Sequence, residues 1–447
     1  MRYRPVASLV MMIAGASAAT ASAAAQGASA PTAPLPRARP ESVGMSAARL
    51  QYMTQFFKIE SARHAAAGYV MMVARDGKLI HESAIGYRNL EQQVPMTLDT
   101  RFRLQSMTKP ITAVAVLMLY EEGRFHLDDP VARFLPEFAH PRVFTGVDAK
   151  GKLTTEPAQR DITIRDLLTN TSGLGYVAAV DGTTPLGKAY ASLTLGPHAS
   201  LADNVRRIAG MPLFFQPGTA WRYSYSYDVL GRLVEVVAGM PFAQFLSQRL
   251  FVPLQMHATG FYLQDGDEAL LATPYRHDGA GGLQAVHARR VDDPSDTRRW
   301  PSGGGGLIST AGDYLRFAQM LANGGSLDGH QYLSPVTVAL MTENHVPKDA
   351  EEQFWGSDSV GLGYGLGVGV EIDTRHAPQA GFLGDYEWGG YFDTHWLVSP
   401  RTGIVAVMLA QVVPTANHEA QRTDVDFRDL LFASVSSLTP QRAAAGH

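Results

Sequence analysis

Residues 103–123, "RLQSMTKPITAVAVLMLYEEG", limit most what this chain can fold into. Leu117, Met118 and Leu119 follow one another, so a helix through the run is apolar nearly all round. Such a helix belongs in an interior, covered on every side. Gly123 supplies a natural C-terminal stop. Layers of other structure must therefore surround this helix. Yet it opens on Ser106 and Lys109, a spacing that puts both side chains on one helical face, about 5–6 Å apart at Cβ. Burial disfavours the charged form of a lysine, and a helix N-terminus disfavours it further. A serine hydroxyl is a weak nucleophile until a neighbouring base takes its proton. A buried amine one turn away is such a base. This Ser-x-x-Lys is the only one in the chain, and Pro110 suits the first turn.

Composition narrows the chemistry. With 447 residues, 45% hydrophobic and 18% charged, the chain is globular and long enough for two or three domains. A net charge of −4 gives no basic footprint for nucleic acid. The absence of cysteine removes disulfides, zinc–thiolate sites and a cysteine nucleophile. Arg2 and Arg4 precede an apolar stretch that fades into Ala and Ser, with a cleavage site expected after Ala23. Residues 1–23 are thus expected to be a signal peptide, and the mature protein to be exported, periplasmic or secreted, without a membrane contact. No other window approaches the ~18 apolar residues of a spanning helix.

Along the chain, residues 24–40 read as a Pro-rich extended lead-in. A helix follows, with Ser46 as its cap. Two β-rich runs then flank Asp76-Gly77, a hairpin signal. Between about Leu127 and Trp300, helical pieces alternate with Pro/Gly/Asp loops, and residues 262–296 lack periodicity and read as a surface excursion. Thr310 caps another helix. "YGLGVGVEI", "THWLVS" and "IVAVMLAQ" are strand signals, the last two joined by a "PRTG" turn, and "FRDLLFASVSSL" is a closing helix. The expected class is α+β: an antiparallel sheet flanked by helices, built from 41–126 and 301–440, with a mainly helical domain inserted at 127–300 and a tail at 441–447. The site is expected where the two parts meet.

Two further segments carry chemistry. In "QPGTAWRYSYSYDVLG" a turn leads to Tyr223, a phenol at a loop–helix junction that could relay a proton, with Tyr225 and Tyr227 as rivals and aromatic packing as the plainer role. In "GDYEWGGYFDTHW", Gly389 and Gly390 follow Trp388. They permit either a close substrate approach with backbone N–H groups facing an oxyanion, or a β-bulge. No Gly-x-Ser-x-Gly, His-Glu-x-x-His or phosphate loop is present, "SGGGG" lacking the Lys-Ser/Thr that would complete one. Strand histidines such as His81 and His395 read as structural.

With "FRLQSMTKPITA", "ITIRDLLTNTSGL", "PGTAWRYSYSYDVLGRLVEVVAGMPF", "FVPLQMHATGF", "SGGGGLISTAGDYLRF" and "WGG" in this order, the chain resembles the serine β-lactamase and penicillin-binding-protein superfamily, in particular its class C β-lactamase-like branch and family VIII carboxylesterases. The resemblance spans roughly residues 40–440. It implies Ser106 as acylating nucleophile, Lys109 as base or proton shuttle and Tyr223 as activating phenol. It also implies an oxyanion hole from the Ser106 and Tyr391 N–H groups, and substrate contacts from Gln105, Tyr225, Trp388, Gly389 and Gly390. No metal or cofactor is implied, and the expected partner is a small ester.

Two departures bear on substrate. Tyr225 stands where β-lactamases of this branch carry Asn, and Trp388 where their strand motif has a cation for the antibiotic's carboxylate. Losing that charge removes a charge-assisted hydrogen bond to an acidic substrate. Phe392 and Asp393 stand where relatives tend to be small. The expectation is a carboxylesterase for small uncharged esters. A β-lactamase, D,D-peptidase or amide hydrolase on the same site, or a non-catalytic binding protein, are the alternatives.

Overall fold

The computed structural model describes residues 34–177, 182–286, 293–347, 361–414 and 423–438. The expected signal peptide, most of the lead-in and the expected tail at 441–447 lie outside them.

The main sheet has eight strands: β1 (Gly68–Arg75), β2 (Lys78–Asn89), β3 (Val94–Pro95), β4 (Leu362–Tyr364), β5 (Gly369–Glu371), β6 (Tyr386–Gly390), β7 (Thr394–Ser399) and β8 (Ile404–Leu409). Their order across the sheet is β4-β5-β6-β7-β8-β1-β2-β3, with every pairing antiparallel. The two ends of the chain meet at the β8–β1 pair, where Val70 faces Leu409 and Arg75 faces Ile404. Five helices matter to the site: α1 (Ala47–Ala62), α2 (Thr108–Glu121), α3 (Ser226–Ala238), α4 (Ala311–Ala322) and α5 (Thr423–Ala433).

Each face of the sheet is covered. Met71, Val73, Ala406 and Met408 join the cluster under α1 and α5. Val70, Met72, Val405, Val407 and Trp396 join the larger cluster that holds α2, α3 and α4. This explains why β1 and β8 are buried along their whole length instead of alternating. Every residue of α2 from Thr108 to Leu119 is buried, as an all-round apolar helix requires.

Local chemistry sets the corners. Asp76 and Gly77 both take positive φ, 50° and 75°, the pattern of a tight two-residue hairpin. The Ser46 side chain accepts from the Arg49 N–H and starts α1, and that of Thr310 accepts from the Asp313 N–H and starts α4. Arg75, fully buried, donates to the Thr402, Gly44 and Ser437 carbonyls and so ties both chain ends to the sheet.

The structure differs from the sequence expectations in three places. The middle of the chain contains two hairpins besides its helices, Arg142–Val147 with Leu153–Pro157 and Tyr275–His277 with Leu283–Ala285. The first turns on Asp148, whose carboxylate accepts from the Lys150 and Lys152 N–H groups. Residues 262–286 keep mostly to the surface, as expected, but they are anchored to the body at single buried residues. Asp267 pairs with buried Arg101 at 3.1 Å, and Tyr275 is fully buried, exchanging backbone hydrogen bonds with Gln411 and Val413. These anchors are far apart in sequence, so no periodicity marks them. The closing helix starts at Thr423 and stops at Ala433, because residues 434–437 instead pair with Gly44–Ser46. "YGLGVGVEI" is a hairpin, β4 and β5, turning at Gly367.

Beyond β5, Arg428 of α5 meets three carboxylates: Glu387 at 2.6 Å, Glu371 at 3.4 Å and Asp385 at 4.0 Å. One cation does not balance three anions, of which Glu371 and Asp385 are buried. Burial raises Glu371 to about 7 and Asp385 to about 6, against the pull of Arg428. The folded state then keeps protons that the unfolded chain releases from about pH 4 upward. Stability from this cluster is present below that range and is lost as pH rises through about 6 and then 7. Thermal unfolding of Glu371→Gln should therefore occur about 2 °C or more above wild type at pH 8, with the difference closing only toward about pH 4.

Candidate active site

Ser106 sits on a 3-10 turn, Gln105–Met107, that runs straight into α2. The turn leaves the short strand Phe102–Arg103, itself paired with Ile308–Ser309. The change of direction falls on Gln105, a non-glycine residue at φ 49°. A left-handed residue beside a candidate nucleophile is held there by its surroundings at some conformational cost.

Lys109, one turn on, is 1% exposed. Its Nζ lies 3.2 Å from Ser106 Oγ and donates to the Gly304 carbonyl at 2.6 Å. The rings of Tyr223, Tyr227 and Tyr176 surround it, with centroids 4.2, 5.8 and 5.9 Å away. Burial lowers the amine to about 7, opposed by the negative charge of Asp228. The helix is stapled to residues 303–307 on both sides of the lysine. Thr112 donates to the Gly303 carbonyl, and Thr108 accepts from the Leu307 N–H.

Of the three tyrosines in "YSYSY", one reaches Ser106. Tyr223 Oη lies 2.5 Å from Ser106 Oγ. The Tyr225 hydroxyl turns to the Val177 backbone, and its ring packs edge-on against Tyr176 at 4.7 Å. Tyr227 Oη donates to the Leu168 carbonyl inside the core. Burial raises the Tyr223 phenol far above its ordinary range, although the Ser106 contact pulls it down somewhat. At neutral pH it is a neutral donor.

Trp388, on β6, stacks on Tyr223 with centroids 6.1 Å apart and planes 24° apart. A Cβ on Gly389 would meet the His395 ring at 3.1 Å, whereas one on Gly390 would lie 2.1 Å from the Leu104 carbonyl. Gly390 is thus where β6 closes against the segment that carries Ser106, and Thr394 Oγ1 donates to the same carbonyl. Close backbone approach, and not a bulge, explains this glycine: β6 and β7 stay in register through Gly390 and Thr394. The Ser106 and Tyr391 N–H groups have no acceptor among the described residues. Tyr391 is half exposed and Phe392 buried, so the tight turn after Gly390 sends one ring outward and one inward. Asp393, at φ 60°, holds His395 Nε2 at 2.8 Å. Burial opposes a charge on that imidazole, but the Asp393 bond and charge prevail and raise it to about 9. His81 is held by Thr54.

The structure therefore gathers Ser106, Lys109, Tyr223, Trp388 and Gly390. Gln105 lies along Gly305 beside them, and Tyr225 stands one aromatic layer back. Sequence reasoning missed Gly304, Tyr176 and Asp228. The one usable signal was "SGGGG", four glycines where no phosphate site follows. Among the described residues no group of His, Asp and Glu could hold a metal ion.

The beta-lactamase family model matches residues 52–429. The chain belongs to the beta-lactamase family. Protein Rv1367c of Mycobacterium tuberculosis is 38% identical over 364 residues, 79% of this chain and 88% of that protein. Esterase EstB of Burkholderia gladioli is 34% identical over 368 residues, 76% of this chain and 85% of that one. Among solved structures, "EstCE1, a hydrolase with promiscuous acyltransferase activity" superposes with a TM-score of 0.71 at 30% identity, covering 86% of this chain and 99% of that chain. This beta-lactamase-family protein is an enzyme, a serine hydrolase, with the α+β fold of the family.

The Gly390 contact makes a test of the geometry. A methyl at that position overlaps the Leu104 carbonyl and pushes the strand from Ser106. Gly390→Ala should slow labelling of Ser106 by a fluorophosphonate about 100-fold. Its far-ultraviolet circular dichroism should stay native.

Proposed function

We propose that the protein is a carboxylesterase that works through an acyl-enzyme on Ser106. The observation that carries this reading is the convergence on one oxygen. Lys109 Nζ and Tyr223 Oη stand 3.2 and 2.5 Å from Ser106 Oγ, and no other titratable group reaches it among the described residues. Neutral Lys109 takes the Ser106 proton as the oxygen attacks the ester carbonyl. Tyr223, protonated at neutral pH, donates to the serine oxygen and then passes its proton to the departing alkoxide as Lys109 returns the one taken from Ser106. Water, activated by the same pair, releases the acid. The Ser106 and Tyr391 N–H groups, lacking other acceptors, are the candidate oxyanion donors.

Substrate class follows from what lines the site. Trp388, Tyr176 and Tyr223 present rings and no cation, so an acidic substrate gains no charged partner there. The relative from Burkholderia gladioli is named an esterase. Small uncharged esters suit both observations. Export through residues 1–23 belongs to the same proposal and rests on the sequence alone.

Three measurements test this. Because Lys109 must be neutral to act and titrates at about 7, kcat/KM should rise with pH through 7 and level off by about pH 8. Ser106→Ala should lose about 10⁴-fold or more, and Lys109→Met about 10³-fold, in p-nitrophenyl butyrate hydrolysis. Full activity in Ser106→Ala overturns the mechanism. Wild type should also turn over p-nitrophenyl butyrate at least 100-fold faster than nitrocefin; the reverse ranking overturns the substrate class.

A further inference from the structure

Asp228 has no part in the steps above, yet it is 2% exposed and lies beneath the lysine. It is the third residue of α3, five positions after Tyr223. Its Oδ1 accepts from Ser302 Oγ at 2.6 Å and from the Gly304 N–H at 3.2 Å. The carbonyl of the same Gly304 receives the Lys109 amine at 2.6 Å. One glycine thus faces a carboxylate with its N–H and an amine with its C=O. The glycines make this possible. A Cβ on Gly304 would stand 3.0 Å from Asp228 Oδ2, and one on Gly303 would stand 2.3 Å from the Tyr227 carbonyl. The "SGGGG" run, which is no phosphate loop, is a backbone bridge between α2 and α3.

The groups around the amine leave Asp228 a distinct part. The turn before α2 contributes Ser106 and α2 itself Thr112, neither charged. Tyr176, Tyr223 and Tyr227 present rings, and Trp388 lies behind Tyr223. Residues 302–304 offer a hydroxyl and peptide groups. Asp228, on α3, is the one charged group facing Lys109 among the described residues. Tyr223 and Tyr225 feel its charge from the other side.

We propose that Asp228 is a positioning residue: through Gly304 it fixes the carbonyl that orients the Lys109 amine, and its carboxylate supplies the one negative charge facing that amine. The bridge spends one Nζ hydrogen on Gly304 and leaves the amine's lone pair free for the Ser106 hydroxyl. The charge offsets the desolvation that would otherwise make the amine too weak a base, since a general base serves best when its basicity matches the working pH. The inference rests on the serine–lysine reading given above.

Asp228→Asn tests it, because the amide oxygen can still accept from Ser302 and Gly304 while the charge is gone. The readout is the pH dependence of Ser106 labelling by a fluorophosphonate, which reports Lys109 in the free enzyme without turnover. The acidic limb of Asp228→Asn should move down by roughly one pH unit from wild type, with a lower plateau. Burial raises the Asp228 carboxyl above its usual range, and the Ser302 hydroxyl, the Lys109 charge and the Gly304 N–H pull it back down, so Ser302→Ala should leave it less ionised and move the limb the same way by less. A merely structural aspartate would slow labelling equally at every pH. That result in folded Asp228→Asn overturns the proposal, as does an unmoved limb in Ser302→Ala should Asp228→Asn fail to fold. Wild-type protein that does not label at Ser106 at any pH removes the hydrolase mechanism itself, an outcome visible before either variant is read.

Discussion

An amine kept out of water is the interaction around which this molecule is arranged. An ammonium in an apolar interior without compensation costs several kcal/mol, and the protein meets that by letting Lys109 lose its proton near neutrality and by giving Nζ one carbonyl and one hydroxyl partner. Each supporting part answers to this. The all-round apolar helix provides the burial. The glycine run brings a carbonyl close enough to serve the amine. The three tyrosine rings close the remaining directions with faces that tolerate either charge state.

The second constraint is topological. The candidate nucleophile lies in the first third of the chain and the glycine strand in the last fifth, so the candidate site exists only once β8 pairs with β1. That pairing joins segments more than three hundred residues apart and carries a large loop-closure cost. It is repaid along β1 and β8, buried on both faces, and reinforced where Arg75 grips both chain ends. Gly390 against Leu104 is the contact by which this long-range closure reaches the reacting oxygen. Packing of the sheet and assembly of the site are therefore one event.

What could be read in advance follows from where the physical signal is local. The Asp76-Gly77 turn, the caps Ser46 and Thr310, the buried α2 and the Ser106–Lys109 face were legible because residues a few positions apart determine them. Tyr223 could be proposed beside Tyr225 and Tyr227, but the choice needed the entry of the chain into α3, which turns Tyr227 into the core and leaves Tyr223 on Ser106. The hairpin at 142–157 was hidden among helical pieces, though its Asp148 turn is ordinary turn chemistry. Asp267, Tyr275 and Asp228 were not legible at all. Each owes its position to partners far along the chain, Asp267 to Arg101, Tyr275 to Gln411, and Asp228 to Ser302 and Gly304, and nothing in its own neighbourhood announces it.

Trp388 links substrate choice to the strength of the base. A cation in its place, as the family's β-lactamases are understood to carry, would stand one ring away from Lys109 and disfavour the protonated amine by like-charge repulsion. The indole adds no charge and, stacked on Tyr223, thickens the apolar wall instead. Lys109 is then governed by two opposed influences, desolvation and the Asp228 carboxylate. The same substitution that withdraws the handle for an acidic substrate frees the base from a competing charge. The proposed preference for neutral esters and an amine that titrates near neutrality would, on this argument, both follow from one side chain.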